Sequence, residues 1–237
     1  MIPHKFRLCL LFILFLQVTS FAQKKPPSGG RLGVVVDERL AALRATPQLN
    51  GKLVRRLSRG RLIAVRSVKT NTDGITFFLV NVSTRTHGWI QRDAVVSPLR
   101  QGDDRRLLTL IQRSTGFDGI SRARIFLDHF PRSPLRPEVL LLLGDTAESL
   151  AGKLSLDAAR RLKNDLGDAP EFSYYLNFTG LDRYNRVRVG FAFDKTTKRF
   201  HYDGAAWREL IRVYPRSSAA REARKRLDLL FSQERIM

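Results

Sequence analysis

Three imidazoles, His87, His129 and His201, are the side chains best suited to bind a metal or shuttle a proton near neutral pH. They lie far apart in three different sequence contexts, with no paired spacing of a zinc site. Asp182, His201 and Asp203 could serve as an acid–base set in a diverged hydrolase. Asp103 and Asp104 stand together as a pair of carboxylates, but they open a helical stretch, where the positive end of the helix dipole accounts for them. No Gly-x-Ser-x-Gly elbow and no phosphate-cradling glycine loop occurs. The only cysteine, Cys9, stands near the N-terminus. These observations predict a protein without a catalytic set, a metal or a cofactor.

Cys9 belongs to a segment with the pattern of an export signal. His4, Lys5 and Arg7 form a basic start, and residues 8–18 are apolar except for Gln17. Such a run is shorter than the ~20 residues that cross a bilayer and has the length of a signal core. Ser20 and Ala22 put small residues where signal peptidase reads. The pattern predicts a signal peptide over 1–22, cleavage after Ala22, and a mature chain that is periplasmic or extracellular, with no stable membrane span and no thiol.

The chain carries 42 Lys and Arg against 22 Asp and Glu, a net +20. Loss of residues 1–22 removes Lys5 and Arg7 and no acid, leaving +18. Arginine grips carboxylates and phosphates bidentately, so an anionic partner is one reading and a solvated surface the other. The basic residues run from Arg31 to Arg235 without a single dense tract, which favours the solvated surface. Export removes the protein from cytoplasmic nucleic acid, so nucleic acid is not an expected partner.

The elements that would position any binding residue fall into two textures. After a Pro/Gly-rich linker over 23–30, residues 31–99 read as short strands: 32–36, 52–58, 61–68, 75–82 and 88–90. Arg59-Gly60 and Asn71-Thr72-Asp73-Gly74 supply turns. Residues 103–237 read as helices over 103–114, 119–130, 138–150, 156–166, 205–214 and 218–231. Ile120, Ala123, Phe126, Leu127 and Phe130 mark one face of the second.

A short repeat punctuates the helical part. Phe130-Pro131-Arg132-Ser133 and Tyr214-Pro215-Arg216-Ser217 each follow an amphipathic run. Proline stops one helix and the serine can cap the next, so each copy is a joint between two antiparallel helices. The copies lie further apart than a tetratricopeptide period of about 34 residues, leaving room for an insertion. That insertion, 168–204, is aromatic and strand-like, and alternation over 187–193 followed by Lys195-Thr196-Thr197-Lys198 predicts a β-hairpin. Tyr174, Tyr175, Asp182, Arg183, Tyr184 and Tyr202 could form a protein-recognition patch on it, or the rings could cover the helices instead.

Residues 40–96 resemble bacterial SH3 domains. The matching stretches are Leu40 to Pro47, the hairpin Leu57 to Val65, and Gly88-Trp89-Ile90. Ala42-Leu43-Arg44 replaces the family's Asn-Val-Arg, and Phe77-Phe78-Leu79-Val80 stands where a tryptophan strand is usual. The joints look like those of tetratricopeptide-type repeats in bacterial envelope proteins. The resemblance implies an α+β protein: a small SH3-like barrel over 31–99, then a helical repeat domain over 103–237. It places a binding surface at Arg44, Thr46, Asn50, Arg85, His87 and Arg92, with Trp89 filling the barrel core. It implies a non-catalytic envelope adaptor, whose SH3-like part holds a cell-wall peptide or protein and whose helices hold a protein partner. The alternatives are the diverged hydrolase and a basic protein that binds anionic envelope polymers or lipids.

Overall fold

The computed structural model describes Pro27, residues 29–164 and residues 170–235. The expected signal peptide, its cleavage at Ala22 and most of the linker lie outside the described residues. Among the described residues no helix is long and apolar enough to cross a membrane.

The chain is mixed α+β. Seven antiparallel strands come first: β1 (Arg31–Val35), β2 (Ala42–Arg44), β3 (Leu53–Arg56), β4 (Leu62–Thr70), β5 (Thr76–Asn81), β6 (His87–Gln91) and β7 (Val95–Val96), in the order β3-β2-β6-β5-β4-β1-β7. The turns follow local chemistry. Gly74 adopts φ +75 between β4 and β5, and Asn71 Oδ1 accepts hydrogen bonds from the amides of Asp73 (3.1 Å) and Ile75 (2.8 Å). Gly60, at φ +77, turns the chain between β3 and β4.

The sheet curls around Val35, Leu43, Ile63, Phe78, Val80, Ile90 and Val95. It does not close, which corrects the expected barrel: β3 and β7 are its two ends and do not pair. β7 is two residues long, and the short turn over 97–102 leads from it to the first helix. Strand β1 explains why three consecutive valines are all buried. Val35 faces the sheet core, whereas Val34 and Val36 face the helices; Val95 and Val96 of β7 divide the same way. A strand covered on both faces has no polar side to show.

The helices are α1 (Asp103–Gln112), α2 (Gly116–His129), α3 (Arg136–Asn164), α4 (Glu171–Leu176), α5 (Asp182–Arg186), α6 (Ala205–Val213) and α7 (Ser218–Arg235). Both joints fall where the repeat puts them. α2 stops at Phe130 and α6 at Tyr214, and Ser217 Oγ accepts from Ala220 N at 3.1 Å as a helix cap. The two joints touch: Arg136 Nε donates to the Tyr214 hydroxyl at 3.0 Å.

Two expectations for the helical part are corrected. The helices expected over 138–150 and 156–166 are one helix, α3, because the buried stripe Val139, Leu143, Ala147, Leu150, Leu154, Ala158 keeps helical spacing through Gly152. The first half of the insertion is helical (α4, a 3-10 turn at Thr179–Leu181, and α5), not strand. The hairpin itself is present but shorter than expected, β8 (Phe191–Asp194) and β9 (Arg199–Tyr202), with the turn at 195–198. Side chains of α3 complete the outer edge of β9: Ser155 Oγ accepts from Phe200 N at 2.8 Å and Glu148 Oε2 from Tyr202 N at 2.9 Å.

Sheet and helices share one buried ion cluster. Arg122 of α2 is 6% exposed, donates from Nε to the Val36 carbonyl at 3.1 Å, bonds Ser114 Oγ, and lies 3.7 Å from Asp37 Oδ2. Asp37 also takes a forked pair from Arg39. Its carboxyl is held below its ordinary range, first by the Arg39 hydrogen bond, against burial. Asp103, expected to serve the helix dipole, does more. It is buried, accepts from Ser97 N and Arg100 Nε at 2.7 Å each, and staples the end of the sheet to α1.

Candidate functional site

A groove of about 1320 Å³ lies where the sheet meets the helices. One wall is the β3–β4 arm from Arg55 to Leu62. The other is formed by the end of α2 (Asp128, His129), Arg186 of α5 and the β5–β6 turn at Ser83 and Thr84, with Pro27 at the rim. The arm is held from behind. Gly60 N donates to the Val35 carbonyl at 2.8 Å, and Arg59 N donates to Glu38 Oε1 at 2.8 Å.

Five arginines line this groove: Arg55, Arg56, Arg59, Arg61 and Arg186. Two are structural. Arg59 Nη1 reaches Asp118 of α2 at 2.8 Å, joining the arm to the helices, and Arg61 Nη2 caps the Val82 carbonyl at 3.0 Å. The guanidinium groups of Arg55, Arg56 and Arg186 are exposed and make no hydrogen bond or ion pair with the described residues. The single carboxylate of the lining, Asp128, is engaged by Arg188. The groove therefore presents uncompensated positive charge on arginines free to fork onto a carboxylate or phosphate.

His129 is the last residue of α2, where a charged imidazole would favour the helix end. Burial lowers its pKa below the ordinary 6.5, so the ring enters the groove wall neutral. Among the described residues no cluster of three or more His, Cys, Asp or Glu is placed to hold a metal.

The residues expected from sequence do not form this groove. Arg44 ends β2, Thr46 and Asn50 lie in the loop after it, Arg85 is in the turn between β5 and β6, and His87 and Arg92 stand at the two ends of β6. His87 opens β6 and Arg92 follows its end, about 17 Å apart at ~3.4 Å per residue. Arg44 is tied to the Gly51 carbonyl at 2.7 Å, and Thr46, Asn50, Arg85, His87 and Arg92 are exposed. Contrary to expectation, Trp89 does not fill the core. It is half-buried on the outer face between Arg44 and Leu79 of the neighbouring strands, and Ile90 points inward in its place.

The aromatic patch is likewise corrected. Tyr175, Tyr184 and Tyr202 are all buried in the helical core. Tyr175 stacks on Phe193 at 4.5 Å and Tyr184 meets Phe117 edge-on at 5.5 Å. Tyr202 accepts from Ala206 N at 2.6 Å, and burial pushes its phenol up to about 12. Tyr174 is half-buried, and Asp182 and Arg183 are exposed on α5. Arg183 packs over the Phe117 ring, 5.3 Å from its centroid.

Asp182, His201 and Asp203 do not converge. Asp203 caps Ala205 N at 2.9 Å, and His201 lies 3.9 Å from Glu148 in a second groove of about 760 Å³ whose lining includes neither aspartate.

The arginine groove carried one sequence signal, four arginines among residues 55–61. Arg186 could not be assigned to it without the fold. No protein-family model, curated protein or solved structure compared with this chain matches it.

Proposed function

We propose that this chain is a non-catalytic adaptor of the cell envelope, exported through its N-terminal signal, whose junction groove holds a carboxylate-bearing ligand. In this reading the curled sheet is an SH3-like module and the paired helices are tetratricopeptide-like. The ligand is a cell-wall peptide or an envelope protein, and nucleic acid is not a partner. The single observation that carries the reading is the trio Arg55, Arg56 and Arg186, three arginines that line one concavity and whose guanidinium groups have no partner among the described residues. The contact between the two proline joints supports the repeat reading, since stacked repeats bring equivalent joints side by side. A groove made jointly by sheet and helices suits an adaptor, because its ligand bears on both parts.

The test is co-sedimentation of the mature protein with purified sacculi and with envelope extract across a salt series. The reading expects binding that survives moderate salt and is lost in the variant Arg55→Ala/Arg56→Ala/Arg186→Ala. Failure to sediment with either material would overturn it. The overall charge favours one second reading, a polycation held on anionic polymers or lipids. That reading expects steep loss with salt and indifference to the three substitutions.

A further inference from the structure

Strand β3 is an open edge at the mouth of the groove. Among the described residues it pairs with β2 on one side only, and all four of its residues are exposed, Leu53 to 46% and Val54 to 48%. Leu57 N donates to the Ala41 carbonyl at 3.0 Å in the same register that pairs Arg55 with Leu43 and Arg56 with Ala42. Antiparallel ladder bonds fall on alternate residues, so Arg55 turns its amide toward β2 and Arg56 turns its N–H and C=O outward. Edges of this kind attract added strands unless they are blunted. Here the backbone groups of Arg56 stand beside an exposed apolar pair, Leu53 and Val54, and beside the uncompensated arginines of the groove.

We propose that β3 is a strand-addition site for an extended acidic segment of a partner protein. The segment pairs with the outward amide and carbonyl of Arg56, lays an apolar pair against Leu53 and Val54, and places carboxylates on Arg55 and Arg56, whose side chains alternate across the two faces of the strand, and on Arg186. Charge complementarity fixes the occupant. A second copy of this chain would bring arginines against arginines, whereas an acidic strand neutralises them. The inference rests on the adaptor reading and deepens it by choosing between its two ligands. Strand addition needs the regular amide spacing of an α-linked polypeptide, which γ-linked cell-wall stem peptides lack.

The probe is a fluorescein-labelled peptide with two glutamates beside a valine–leucine pair, followed by anisotropy against the mature protein. Its analogue, N-methylated at alternate amides, keeps every charge and cannot pair as a strand. A soluble muropeptide and citrate complete the set. The peptide is expected to bind and the methylated analogue to bind about tenfold more weakly or worse, the effect of losing a ladder bond. Arg56→Pro, which removes the outward N–H, is expected to weaken binding beyond Arg56→Ala, which removes the charge alone. A thermal melt checks that the proline variant folds; if it does not, the methylated peptide decides alone. Equal binding of the methylated analogue overturns strand addition while leaving the groove in place. So does tighter binding of the muropeptide, or binding of citrate without the peptide, if Arg55→Ala/Arg186→Ala weakens it. No binding of any probe overturns both the strand addition and the adaptor reading.

Discussion

Helix α3 contains two glycines for which local and tertiary effects predict opposite outcomes. Gly152 is exposed, and a methyl group there would meet nothing within 4 Å. Gly152→Ala should therefore gain the helix propensity that glycine lacks, about 1 kcal/mol. Gly144 is buried against Trp207. A methyl group there would lie 2.6 Å from both Cδ1 and Cε2 of the indole and closer still to Nε1. Carbon atoms pack at about 3.5–4.0 Å, so the overlap approaches an ångström on several atoms at once. The indole has little room to retreat: it is 1% exposed, and Tyr202 meets it edge-on at 5.4 Å. Overpacking of this kind costs ~1–3 kcal/mol or more and outweighs the same 1 kcal/mol of propensity. With several atoms overlapped the cost falls at the upper end, ~3 kcal/mol, so after about 1 kcal/mol of propensity Gly144→Ala should be destabilised by about 2 kcal/mol, and at ~2–4 °C per kcal/mol for a protein of this size its Tm should fall by ~4–8 °C. Gly152→Ala should rise by ~2–4 °C. Calorimetry measures both, and near-UV circular dichroism reports the indole environment. A Gly144→Ala protein that melts with or above the Gly152→Ala protein would refute the packing argument.

Other perturbations act on the joints between parts. Arg122→Met leaves the Val36 carbonyl and Ser114 without their donor, while Asp37 keeps Arg39; urea unfolding should show a loss near 3 kcal/mol, the low end for a broken buried ion pair. Ser155→Ala strips the Phe200 amide of its acceptor and should cost ~1–3 kcal/mol, with faster amide exchange at Phe200 as the local sign. Stability should also fall with acid in two steps. The folded state keeps His129 neutral below 6.5, so protons favour the unfolded chain as pH falls from 6.5 through the lowered folded value, and His129→Gln should flatten that step in melts taken across pH. Asp37 is held low in the folded state, so its contribution persists above 3.8 and is lost only below it.

Much of the fold was legible because it is written in local chemistry. Asn71 and Gly74 specify their turn, and the proline joints end α2 and α6 where they stand. Elsewhere local signals pointed the wrong way. Gly152 and Ser155 read as a break in α3, yet the buried stripe continues through them and tertiary packing prevails. The aromatics between Phe172 and Tyr184 suggested strand, whereas Tyr175 and Tyr184 are set on short helices and buried by the core. Trp89 and Ile90 are adjacent and both apolar, so which one faces inward depends on the register of β6 against β5. The groove was least legible. Its arginines come from the β3–β4 connection and from α5, far apart in the chain, and the joining contact of Arg59 with Asp118 is tertiary.

The division of β1 between two interiors bears on modularity. A strand whose successive valines serve different cores cannot travel with either half alone. Cutting the chain at Gly102 would expose Val34, Val36 and Val96 on one fragment and leave Arg122 on the other without its Asp37 and Val36 partners. Such a chain should fold as one unit, and in calorimetry it should melt in a single transition.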